Sequence, residues 1–77
     1  MANLHYSYVN QLLNTAKSEI DGFHHKDALM HISKALSHID VLVKSQKIRG
    51  DIPLNQVEER RIELIDLVNQ LPPTYHD

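Results

Sequence analysis

The stretch from Lys26 to about Lys47, KDALMHISKALSHIDVLVKSQK, contains neither glycine nor proline and constrains everything around it. Its apolar residues are Ala28, Leu29, Ile32, Ala35, Leu36, Ile39, Leu42 and Val43. Steps of three and four put them on one helix face about 140° wide. A half-buried strand would alternate apolar and polar residues. Here the apolar residues come as adjacent pairs, Ala28-Leu29, Ala35-Leu36 and Leu42-Val43, which alternation cannot produce. Ala28 and Ala35 lie two turns apart on this face and let a second helix approach closely.

A face that wide must be covered, and two flanking stretches can cover it. The first runs from about residue 4 to 21, with Val9, Leu12, Leu13, Ala16 and Ile20 as its inward stripe and Tyr6 and Phe23 near the edges. Asn3 is placed to cap its start and Gly22 to take the left-handed position after its end. Phe23 then reads as a plug folding back on the last turn. The second flanking stretch runs from about 54 to 71, with Val57, Leu64, Ile65, Val68 and Leu71 inward. Asp51 and Pro53 suit its start, and Asn55 followed by Glu58 offers a second capping pattern. Arg61 falls inside that stripe, its stem packing while its guanidinium reaches solvent or a carboxylate such as Glu19 or Asp66. Pro72-Pro73 ends the helix, and 72–77 reads as a loose tail.

The expectation is an all-α fold, with residues 1–77 as one domain of helices at about 4–21, 26–47 and 54–71. Short connections make neighbours antiparallel, giving an up-down-up three-helix bundle. At 77 residues such a chain buries roughly 60% of its unfolded surface. Stability on the usual per-residue scale is about 4–12 kcal/mol.

Charge and composition narrow the function. Net charge is −2 with the eight Lys and Arg spread along the chain, which argues against a nucleic-acid partner. No run approaches the ~18–20 apolar residues of a membrane span. The N-terminus has no basic segment leading an apolar run, so no signal peptide is expected. There is no cysteine, which fits a cytoplasmic setting. No nucleophile elbow, phosphate-cradling glycine loop or HExxH occurs, and the reading is of a non-enzyme without cofactor.

The six histidines need separate treatment. His24, His31 and His38 repeat every seven residues beside the apolar stripe. Seven residues span about 10.5 Å of helix axis, too far to share one ion. Asp27 and His31 have i, i+4 spacing, and His24 precedes Asp27 by three, so these form the weak metal candidate within one segment. The plainer reading makes the histidines half-buried boundary residues over the seam between helices. In Glu58-Glu59-Arg60-Arg61-Ile62-Glu63, the pairs Glu58–Arg61 and Arg60–Glu63 attract at i, i+3, which reads as a solvated face.

Several apolar residues remain outside the core stripes: Tyr6, Tyr8, Met30, Val41 and Ile62, with Lys34 beside the α-helical pair Met30 and Val41. They are the expected partner-binding residues of a small interaction module acting as regulator, inhibitor or adaptor. A homo-oligomeric structural protein, with the same residues as a homodimer seam, is the alternative. A His/Asp metal-binding protein is a further one.

Leu12 to Ile39, with Ala28, Ile32, Ala35 and Leu36 after a turn containing Gly22, resembles a tetratricopeptide-type helical hairpin. Ala16 stands about where that family has glycine and Glu19 where an aromatic is usual. With its third helix the chain is similar to the microtubule-interacting-and-trafficking module, a three-helix bundle that holds partner helices in a surface groove. Both resemblances imply protein binding, and neither assigns a binding residue here.

Overall fold

Helix α1 spans Leu4–Asp21, α2 spans His25–Arg49 and α3 spans Leu54–Gln70. This is a computed structural model, and it describes residues 4–49 and 52–72, with side chains placed for 4–45 and 52–72. Among the described residues there is no strand, and the three helices pack against one another as an all-α bundle. The 25 residues of α2 span about 37 Å at helical rise, which accounts for the 40 Å long axis of a body 21 by 15 Å in section.

Cross-helix pairs fix the directions. Between α1 and α2, His5 meets His38 and Glu19 meets His31, so rising numbers meet falling ones and the helices are antiparallel. Arg60 of α3 meets Asn10 and Tyr6 of α1, while Leu67 and Gln70 line one cleft with Ile20, so α3 runs parallel to α1. The path is up, down, up.

The core is built from the expected stripes. Val9, Leu12, Leu13 and Ala16 of α1 are buried, as are Ala28, Ile32, Ala35, Ile39 and Leu42 of α2. Tyr6, Ile20, Leu36, Val43, Ile52 and Val68 pack half-buried against that cluster. On α3 the buried residues are Val57, Leu64 and Leu67, with Leu71 just beyond its end. Ile65, expected inward, is 46% exposed, and Leu67 takes its place. Val57, Leu64, Leu67 and Leu71 are spaced seven, three and four apart, a tighter helical stripe than one including Ile65.

The α1–α2 turn departs from expectation in a second way. His24 N–H donates to Glu19 C=O at 2.7 Å and Phe23 N–H to Ile20 C=O at 3.1 Å. These six-to-one and five-to-two bonds make a Schellman motif, which requires a left-handed residue just past the cap. That residue is Phe23, at φ 62°, and not Gly22. Gly22 sits one position earlier, where its N–H still bonds Ser18 C=O at 3.0 Å. Phe23 does not plug the helix end, because it is 81% exposed, its ring edge-on to His25.

Pro53 is the N-cap of α3, with no side-chain cap bond, rather than a first-turn residue. Its carbonyl accepts from Gln56 and Val57 and starts the helix. The proposed caps Asn3 and Asp51 and the tail beyond Pro72 lie outside the described residues.

Candidate functional site

The off-stripe residues do not form one surface. Met30 and Val41 lie on the outer face of α2, each about half exposed, with Lys34 exposed between them. Eleven residues of helix separate the pair, about 16 Å, so they are two points and not a patch. Tyr8 lies at the α1–α2 seam, its ring edge-on to His38 at 4.8 Å. Tyr6 is not off the core at all. It is half-buried against the core cluster, with the Arg60 guanidinium 5.9 Å from its ring centroid. Arg60 draws it inward by a cation–π contact on one side while the core packs the other.

Ile62 belongs to a larger apolar surface that the sequence stripes concealed. Leu54, Ile62 and Ile65 are 44%, 56% and 46% exposed. Their spacing of eight and three places them on one face of α3. Glu58 lies on that face, and its carboxylate is engaged by Arg61 Nη1 at 3.0 Å. Arg61 Nη2 also reaches Asp40 of α2 at 3.4 Å, so the guanidinium pairs with neither Glu19 nor Asp66. The signal for this surface was the arginine inside the apparent stripe. Arg61 marks the edge of the buried face, and Ile65, one turn on, falls outside it.

The histidines sit mostly where a boundary row would put them. His31 and His38 are half-buried along the α1–α2 seam, while His24 is exposed in the turn. His31 Nδ1 lies 2.6 Å from Glu19 Oε1. The candidate trio Asp27, His31 and His24 is not brought together as a metal site, and no group of three or more potential ligands converges among the described residues. His31 faces α1 and is held there by Glu19, whereas the His24 ring lies against Gly22 before α2 begins.

The α1–α3 seam carries two open clefts. One of about 270 Å³ is lined by Lys17, Ile20, Asp21, Leu67 and Gln70. The other, of about 260 Å³, is lined by Asn10, Leu13, Asn14, Lys17, Arg60 and Glu63. Both fall below the roughly 300–1,000 Å³ of typical small-molecule pockets. Arg60 is already committed, donating through Nε to Asn10 Oδ1 at 2.8 Å and through Nη1 to Glu63 Oε2 at 3.0 Å. Among the described residues no buried side-chain nitrogen or oxygen lacks a partner, so no orphaned group points at a missing ligand. No described helix is long and apolar enough to cross a membrane. The chain matches no family model, no curated protein and no solved structure.

Proposed function

We propose that this protein is a small non-enzymatic interaction module, a regulator, inhibitor or adaptor that receives an amphipathic helix of another protein on the outer face of α3. The observation that carries the reading is the trio Leu54, Ile62 and Ile65, large hydrophobics left in water on one face of a helix whose core residues are already buried. Exposed single hydrophobics are ordinary, but a set sharing one helix face is the pattern of a contact surface. Recognition of this kind reads apolar anchors at one-turn spacing, and Ile62 and Ile65 supply them. Glu58 lies among them, its charge offset by Arg61 at the edge of the face, so affinity comes from the apolar residues. The helical-hairpin and three-helix resemblances agree with protein binding. A chain without cysteine suits the cytosol, where such a module would act.

Chemical cross-linking in native lysate tests the reading with two variants. Ile62→Glu/Ile65→Glu abolishes the cross-linked partner, while Met30→Glu/Val41→Glu keeps it, and both retain the helical circular dichroism of the parent. A partner that survives the first variant, or is lost only with the second, overturns the α3 surface. Sedimentation of the purified chain gives a monomer; a dimer dissolved by the first variant would assign the surface to a second copy instead.

A further inference from the structure

We infer that His5 and His38 form a two-histidine clamp for a borderline divalent cation, of which Zn²⁺ is the best fit. The inference stands apart from the α3 surface. His5 is the second residue of α1, and His38 lies on α2 thirty-three positions later, so the pair bridges the hairpin. Their Nδ1 atoms are 3.3 Å apart, with ring centroids at 5.5 Å. Two nitrogens on one tetrahedral zinc, each at ~2.0–2.1 Å, stand about 3.4 Å apart. The fold therefore holds two imidazole donors at the separation of neighbouring ligands on one ion.

Without an ion the same contact is a hydrogen bond between the two rings. For two neutral rings to bond through these atoms, one Nδ1 must carry the proton and the other must accept it. A cation at the same place uses both lone pairs and needs no proton between them. His5 is exposed and His38 half-buried, so an ion enters from solvent without any rearrangement of the core. Tyr8 packs edge-on against the His38 ring at an interplanar angle of 89° and holds its orientation. Among the described residues no third protein ligand converges there, and the two imidazoles are the donors the fold supplies. Imidazole donors select Zn²⁺, Cu²⁺ or Ni²⁺, whereas Mg²⁺ and Ca²⁺ take oxygen ligands.

The clamp joins two helices that the unfolded chain does not hold together, so the ion binds the native state preferentially and raises its stability by mass action. Calorimetric titration of the full chain with Zn²⁺, in a buffer that does not bind metal, is the test. The expected result is one ion per chain, a melting temperature that climbs with Zn²⁺, and neither effect with Mg²⁺. His5→Ala, which removes an exposed side chain, weakens binding by at least the roughly 10–100-fold seen when a ligand's supporting group is lost. His38→Ala does the same, and His24→Ala/His25→Ala leaves affinity unchanged. Equal affinity in His5→Ala, loss of binding in the His24/His25 variant, or no heat and no melting shift at millimolar Zn²⁺ each overturns the clamp.

Discussion

Along the α1–α2 hairpin, Ala16, Ala28 and Ala35 are fully buried and give the two backbones room to approach. Histidines close the edge of that seam, His31 on Glu19 and His5 on His38. Helix α3 is seated differently. Its buried face is narrow, and its edges are held by two adjacent arginines reaching in opposite directions, Arg60 to Asn10 of α1 and Arg61 to Asp40 of α2. The hairpin leaves Leu4, Tyr8, Phe23, Met30 and Val41 exposed along its length, whereas α3 leaves Leu54, Ile62 and Ile65 exposed on one face. The contrast lies in how each part is seated, close-packed alanines along the hairpin and arginine-flanked packing on α3, and not in how much apolar surface each leaves exposed.

The largest expected effects test whether this division is real. Ile39→Ala in the hairpin and Leu64→Ala in α3 each remove a side chain with no solvent exposure. Each is expected to cost about 2–5 kcal/mol, read from the urea midpoint. A domain of about 4–12 kcal/mol has little left after such a loss. Native-state hydrogen exchange separates the two variants. In Leu64→Ala the α3 amides should exchange first, with α1 and α2 still protected, whereas Ile39→Ala should release all three helices together. Identical exchange patterns would erase the distinction between hairpin and third helix.

Overpacking probes the hairpin from the other side. Ala35→Leu forces extra volume into a position with no exposed surface and should cost about 1–3 kcal/mol. A neutral result would mean that the helices separate easily there, and the alanines would lose their role.

The three helices, their order and most of the core were legible because helical periodicity is a local signal that packing only confirms. Val9, Leu12, Leu13 and Ala16 needed nothing but their spacing. Ile65 was misplaced because α3 is short and its stripe is interrupted by Arg61, so two rotations of the helix fit the pattern nearly as well. The rotation is decided by the packing of Val57, Leu64 and Leu67 against residues of the other two helices, which a periodicity argument does not see. Tyr6 packs at the edge of the α1 stripe as its spacing implies, and only its availability to a partner was misread, since Arg60 reaches its ring from α3. The turn failed differently. Gly22 is the residue that should take a left-handed conformation, yet the hydrogen bonds of the cap place that demand one residue later, on Phe23.

That misfit has a measurable cost at the tip of the hairpin. A left-handed non-glycine residue is strained by roughly 1–2 kcal/mol, and a glycine substituted there loses about 0.4–1 kcal/mol through the freer unfolded chain. Phe23 is 81% exposed, so its removal sacrifices little burial. Phe23→Gly should therefore stabilise the protein by roughly 0.5–1 kcal/mol, seen as a higher urea midpoint with unchanged slope. Destabilisation would show that the edge contact of Phe23 with His25 matters more than the strain.

The smallest effect concerns the arginine that marks the edge of α3. Arg61 is 32% exposed and Asp40 is 72% exposed, and their atoms meet at 3.4 Å. An ion pair so open to water gains little, and its coupling in a double-mutant cycle should not exceed about 0.5 kcal/mol. Asp40→Ala alone should be close to silent. Arg61→Met, which keeps an apolar stem, should be nearly so, while Arg61→Ala should cost more, because the stem and not the charge covers the edge of the core. Measured coupling well above 1 kcal/mol would reverse that ranking. Helix α3 would then be steered by its charges rather than seated by Val57, Leu64 and Leu67, and its rotation, with Ile62 and Ile65 on the outside, would depend on salt.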